Sequence, residues 1–182
     1  MKFIATPLEG LLIIEPKIYY DDRGYFFESF NEKIMSENNL PDPFVQDNQS
    51  ISHKNVLRGL HFQRHPHQQG KLVRVIQGKA FDVAVDIRKN SNTFGKHFSI
   101  ELSEKENTML WIPVGFAHGF IALENDTVFS YKVTDYYNPG AESGIIFNDP
   151  DLGIDWKTSN PIVSQKDRIL PSFREFRQGQ GA

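Results

Sequence analysis

The segment from Lys79 to Ile87 constrains this chain more than any other, because Phe81, Val83, Val85 and Ile87 alternate along it with Asp82, Ala84 and Asp86. A period of two places the first set on one face of a strand and the second set on the other. Phe98, Ile100 and Leu102 repeat the pattern. From Phe44 to Val133 short runs rich in Val, Ile, Phe and Thr follow one another with no long helical period between them. Turn residues separate the runs. Gln77-Gly78 reads as a tight hairpin, and Ser91 to Gly95 and Glu124-Asn125-Asp126 read as further turns. Only short helices are expected: one capped by Asn31 and running through Ile34 and Met35 towards Asn38, and a second after Ser164. The Gly-rich ending after Arg177 reads as a frayed tail.

A length of 182 residues supports one substantial core, so a single domain over 1–182 is expected. Two all-β architectures fit that length, an immunoglobulin-like sandwich and a cupin-type jelly-roll barrel. The second is favoured, since strand-like segments continue past Ile145 and polar residues recur on what should be the inner face. The expectation is therefore all-β, a cupin-type jelly-roll barrel with short flanking helices. Composition removes several function classes. With no cysteine there is no disulfide scaffold, no thiol nucleophile and no thiolate metal site. No apolar run approaches the roughly 20 residues a membrane span needs, and a net charge of -3 argues against general nucleic-acid binding. A soluble cytoplasmic protein with neither membrane nor nucleic-acid partners is expected.

Val56 to Gln63 reads as a strand, yet it carries Arg58 and His61 among apolar neighbours. Strict alternation would send those two side chains to opposite faces, whereas a bulge at Gly59 would turn both into one cavity. A structural His beside a surface ion pair fits the segment equally well. Leu110 to Phe120 brings a second histidine, His118, after a turn of the form Pro-x-Gly-x-x-His built on Pro113 and Gly115. This resembles the second motif of cupins, in which the His often ligates a metal. Metal cupins usually carry two His at i and i+2, and here Gln63 stands two after His61, while His65 and His67 read as loop residues. Metal binding is thus the runner-up, and no metal is expected. In Thr127 to Val133, Phe129, Tyr131 and Val133 share a face; Tyr131 is either a core aromatic or a general acid that adds no positive charge. Arg23, Arg58, Lys71, Arg74, Lys166 and Arg168 form either a solvated face or a grip on phosphate oxygens. A Gly-rich phosphate loop is absent, so any diphosphate must be held by side chains.

Taken together, Arg23 to Glu28, Phe44 to Asn48, Val56 to Gln63, Gln69 to Val75, Ile112 to Phe120, Tyr131 to Tyr137 and Ser164 to Asp167 resemble the dTDP-4-dehydrorhamnose 3,5-epimerases over nearly the whole chain. The resemblance implies a cupin-type homodimeric isomerase that needs no cofactor or metal. It implies conversion of dTDP-4-dehydro-6-deoxy-D-glucose to dTDP-4-dehydro-L-rhamnose in dTDP-L-rhamnose biosynthesis. By resemblance His61 is the base, Asp167 its hydrogen-bonded partner, Lys71 the cation at the ketone oxygen and Tyr131 the proton donor on the opposite face. Tyr137 matches the aromatic that stacks on thymine, and Gln46, Asn48 and Glu28 match polar contacts to the substrate. Arg23, Arg58, His118 and Lys166 match residues that hold diphosphate or sugar, and Glu142 matches a further binding position. Phe26, Phe27 and Phe30 are expected to cover a neighbouring subunit, with Arg23 and Glu28 completing the partner's site. Asp82 and Asp86 are expected to point inward without an assignable role. Three other readings stay open: an epimerase inverting only C3 or C5, a metal-dependent cupin enzyme, and a non-catalytic sugar-binding cupin.

Overall fold

The computed structural model describes residues 1–40 and 43–179. Its strands in chain order are β1 (Lys2–Ala5), β2 (Leu12–Glu15), β3 (Tyr19–Asp21), β4 (Gly24–Phe26), β5 (Gln46–Ser52), β6 (Val56–Gln63), β7 (Lys71–Gln77), β8 (Lys79–Asp86), β9 (His97–Ser103), β10 (Met109–Ile112), β11 (Phe116–Ala122), β12 (Thr127–Val133), β13 (Glu142–Gly144) and β14 (Ile162–Val163). Three short helices accompany them: α1 (Glu32–Glu37), α2 (Gln165–Arg168) and α3 (Phe173–Gly179). One sheet has the order β1-β2-β10-β7-β12-β5 and the other β13-β6-β11-β8-β9, with β14 added in parallel to β6. No ladder joins the two sheets among the described residues, so the jelly roll is a flattened pair of layers and not a barrel closed by hydrogen bonds.

The apolar alternation works as the period of two requires, but on both faces. Ala80 and Ala84 of β8 join Val73, Val75, Leu110, Ile112, Phe120 and Phe129 in the core between the sheets. Phe81, Val83, Val85 and Ile87 point outward, where Leu152, Trp156 and Phe173 of the C-terminal segment bury them. A strand covered on both sides needs apolar residues on both, and Asp82 and Asp86 are the exceptions to explain. Asp86 is structural. Burial works against its charge, but hydrogen bonds from the Arg88 guanidinium and the Ser91 and Thr93 hydroxyls prevail and bring the carboxyl down to about 2, knotting the turn between β8 and β9. The other face of the first sheet is closed by Met35 and Leu40, packed with Leu72, Met109 and Trp111.

Both anticipated helices form, and each cap acts as the sequence suggests: Asn31 Oδ1 accepts the Ile34 N–H at 3.2 Å, and Ser164 Oγ accepts the Asp167 N–H at 3.0 Å. Three features differ from expectation. Gln77-Gly78 is not a hairpin, because β7 and β8 lie in different sheets; Gly78, at φ +79°, is a corner where the chain crosses between layers. The strands β1 and β2 were not anticipated, as each is only four residues long and they are held by pairing, β1 with β2 and β2 with β10. Residues 178–179 are not frayed but continue α3, whose Phe173 and Phe176 stack against each other; the last three residues lie outside the described residues.

Cross-strand register sets the inner lining. In the first sheet Gln46, Val133 and Lys71 form one row and Asn48, Tyr131 and Val73 the next. In the second, Gly144, His61, His118 and Ala84 form a row, with Arg58, Phe120 and Asp82 beside it. Between those two rows β6 spends three residues where β11 spends two, and this irregularity falls at Gly59. Gly59 has φ +140°, and a Cβ there would stand 2.5 Å from the Gly119 Cα, so only glycine fits.

Candidate active site

The bulge has a direct consequence: Arg58 and His61 line one cavity of about 480 Å³, together with Lys71, His118, Tyr131, Lys166 and Asp167. A smaller adjoining cavity of about 200 Å³ is lined by Gln46, Asn48, Gln63, Gln69 and Tyr137. His61, Lys71, Tyr131 and Glu142 belong to both. The walls come from opposite sheets: β5, β7 and β12 give Gln46, Asn48, Lys71 and Tyr131, while β6, β11 and β13 give Arg58, His61, His118 and Glu142. A cavity of about 520 Å³ on the far side of Phe62 and Gln63 is larger, but none of His61, Lys71, Tyr131 or Asp167 lines it. Convergent ionisable groups, not size, mark the site.

His61 Nε2 lies 2.7 Å from Asp167 Oδ1. Burial alone would raise the Asp167 carboxyl, but the bond to His61 outweighs it, helped by the Gly59 and Ser164 contacts, and the net direction is down. Asp167 is therefore an ionised acceptor, which fixes the proton of the neutral ring on Nε2 and leaves Nδ1 with a free lone pair. Lys71 is buried, with Nζ 3.4 Å from the His61 carbonyl oxygen. Desolvation takes its ammonium down from 10.5 to about 8, against the opposing pull of Asp82 and Glu142. Burial pushes the Tyr131 phenol up, and Glu142 adds to this while Arg58 opposes it. Tyr131 consequently keeps its proton at neutral pH. The four groups set an imidazole, its carboxylate partner, a buried amine and a phenol that keeps its proton around one space.

Nearer solvent, Glu142 Oε2 accepts hydrogen bonds from Tyr137 Oη and Lys166 Nζ, both at 2.6 Å. Burial opposes the Glu142 charge, but these two partners prevail and hold the carboxyl low. Gln46 Nε2 donates to Asn48 Oδ1 at 2.9 Å and its Oε1 accepts the Tyr137 N–H at 3.0 Å. Arg58 is anchored through Nε to Ser52 Oγ at 3.2 Å. Two candidates lie elsewhere. Arg23 and Glu28 belong to the exposed region around the β3–β4 hairpin, where Arg23 pairs with Asp21 and Glu28 accepts from Asn31. Neither lines the cavities described above.

Three residues had no role at the level of sequence. Gln63 donates to the carbonyls of His67 and Tyr136 at 2.7 and 3.2 Å and accepts the Asn138 N–H at 2.7 Å, while Gln69 donates to the Asp135 carbonyl at 2.7 Å. Together they pin the loop that presents Tyr137, and no sequence signal marks a glutamine for that task. Asp82 lies behind the cavity, with Oδ2 2.9 Å from His118 Nε2. Its signal was present, as a fully buried Asp in an apolar strand needs a partner.

The comparisons with known proteins agree with this arrangement. Residues 5–175 match the family model described as dTDP-4-dehydrorhamnose 3,5-epimerase. The enzyme of that name from Methanothermobacter thermautotrophicus is 53% identical over 177 residues, covering 96% of this chain and 95% of its own. A Legionella pneumophila dTDP-6-deoxy-D-glucose-3,5-epimerase, solved in complex with dTDP-4-keto-L-rhamnose, superposes with a TM-score of 0.92 at 48% identity, covering 95% of this chain and 93% of that one. A Streptomyces bikiniensis 3'-monoepimerase solved with dTDP-quinovose superposes at 0.86 with 29% identity, covering 98% and 97%. Match over nearly the full length, joined to a shared fold in which His61, Lys71 and Tyr131 line one cavity, has one meaning: this chain belongs to the dTDP-4-dehydrorhamnose 3,5-epimerase family.

Proposed function

We propose that the chain inverts C3 and C5 of dTDP-4-dehydro-6-deoxy-D-glucose, giving dTDP-4-dehydro-L-rhamnose for dTDP-L-rhamnose biosynthesis. The observation that carries this is the placement of His61 and Tyr131 on opposite sheets, both lining the same cavities. Hydrogens on C3 and C5 are acidic because the C4 ketone can take up the charge as an enolate. His61 Nδ1 removes one of them, and the imidazolium that forms is stabilised by the Asp167 carboxylate at 2.7 Å. Lys71 stabilises the enolate oxygen more than the ketone, which lowers the barrier instead of merely tightening binding. Tyr131 returns a proton from the other face, so the carbon is inverted. The second centre follows by the same steps.

In this reading Tyr137 stacks on thymine, Gln46 and Asn48 make polar contacts, and Arg58, His118, Glu142 and Lys166 hold the diphosphate and sugar. The enzyme is a cytoplasmic single-domain homodimer over residues 1–182 that works without metal or cofactor. Support for the dimer comes from the hairpin: Tyr20 is 72% and Phe26 65% exposed, and Arg23 and Glu28 stand there without a site of their own. A second copy that buried those aromatics would bring both polar residues to its own cavity. The test is turnover of dTDP-4-dehydro-6-deoxyglucose in deuterated water. Label at both C3 and C5 of an L-configured product is expected; label at a single carbon, or none, refutes the reading.

A further inference from the structure

Asp82 is a buried carboxylate that the mechanism does not use and that, unlike Asp86, knots no turn. It is fully buried on the inner face of β8, its Oδ2 lies 2.9 Å from His118 Nε2, and its Oδ1 has no hydrogen-bond partner among the described residues. A carboxylate half-satisfied in a protein core costs free energy, and a fold that needed only volume at this point would be served by an apolar side chain. What the carboxylate does uniquely is accept, and a carboxylate that only accepts requires the histidine nitrogen facing it to carry the proton. His118 Nδ1 has no partner among the described residues, although the ring lines the 480 Å³ cavity.

We propose that Asp82 is a positioning residue that locks His118 with its proton on Nε2, so that Nδ1 faces the substrate as a hydrogen-bond acceptor and reads a sugar hydroxyl in place of a phosphate oxygen. A phosphate oxygen has no proton to give at neutral pH and would meet the lone pair of Nδ1 with repulsion, whereas a hydroxyl donates to it. The charged groups around the ring favour the same state. Burial lowers the proton affinity of His118, and Lys71 on β7 and His61 on β6 act in the same direction, while Asp82 on β8 opposes them. The diphosphate is then left to the arginine and lysine side chains, which carry protons whatever the histidine does. The inference rests on the nucleotide-sugar reading above, and it fixes which part of that ligand His118 contacts.

Two measurements test it. Long-range proton–nitrogen correlation spectra of the ligand-free wild-type enzyme report the state of His118 directly. A neutral ring protonated on Nε2 at pH 7 is expected, and protonation on Nδ1 or a doubly protonated ring overturns the proposal. Calorimetric titration then compares dTDP-glucose, which lacks the reactive ketone, with its 2-deoxy and 3-deoxy forms. Loss of one of the two hydroxyls should weaken binding roughly three- to tenfold in the wild type, the worth of one net hydrogen bond. Asp82→Leu should erase that difference, because the ring is no longer held. Equal binding of all three sugars by the wild type, or an undiminished preference in folded Asp82→Leu, overturns the proposal. Failure of dTDP itself to bind would instead refute the nucleotide-sugar reading, and the histidine spectrum would still decide the state of the ring.

Discussion

Replacing Lys71 with methionine should make the protein inactive and more stable at the same time. The cation is buried, and its ammonium is lowered from 10.5 to about 8 chiefly by desolvation. A displacement of that size corresponds to about 3 kcal/mol of destabilisation at pH 7, a ceiling for what an apolar side chain of similar length recovers. The sign follows from proton binding. Between pH 8 and 10.5 the unfolded chain holds the Lys71 proton more tightly than the folded one, so wild-type stability rises with pH across that window. The advantage of Lys71→Met should therefore be full below about pH 8 and vanish as the pH approaches 10.5. Asp82 and Glu142 lose a compensating charge in the variant, so a gain below the ceiling is expected. Urea denaturation at fixed protein concentration measures the gain, and steady-state kinetics should show kcat down about 10²–10³-fold from the lost enolate stabilisation. In the wild type the same proton gives kcat/KM an alkaline limb falling above about pH 8. A variant less stable than the wild type at pH 7, or wild-type kcat/KM flat to pH 10, would refute this account of the site's electrostatics.

His61→Ala should abolish both deuterium exchange and epimerisation, with loss of the base worth roughly 10²–10⁴ in rate, and Asp167→Asn should slow the same step; normal wash-in of label at C3 in folded His61→Ala sinks the base assignment. Tyr131→Phe tests the acid: loss of one hydrogen bond alone would cost about 0.5–1.5 kcal/mol of stability, whereas loss of the acid leaves exchange at C3 or C5 running while formation of the L-sugar collapses. A folded Tyr131→Phe that inverts both centres at the wild-type rate contradicts it. Sedimentation should give a dimer at micromolar concentration, and a fully active monomer would remove Arg23 and Glu28 from any partner's site. Exhaustive chelation should leave turnover unchanged; loss restored by one divalent ion would favour the metal-dependent reading.

Much of the molecule was legible along the chain because it depends on neighbours in sequence. The period of two in β8 and β9, the Asn31 and Ser164 caps, and the turn at Pro113 and Gly115 are short-range physics, and each stands where the residues put it. The bulge at Gly59 was foreseeable for the same reason, since a glycine between an arginine and a histidine in a strand is local information. The family was legible too, through ordered motifs spread over the whole length. Tertiary structure alone decided what those motifs do to one another. Gln77-Gly78 has the composition of a hairpin, and only the pairing of β7 with β10 and β12, and of β8 with β11 and β9, turns it into a corner between layers. Asp167 meets His61 across 106 positions of sequence because α2 begins where β14 has paired beside β6. Asp82 acquires His118 only once β11 lies against β8, and Lys71 loses proton affinity only once the second sheet closes over it. Pairing partners, burial and the resulting shifts in proton affinity are properties of the packed sandwich, and no window of the sequence contains them.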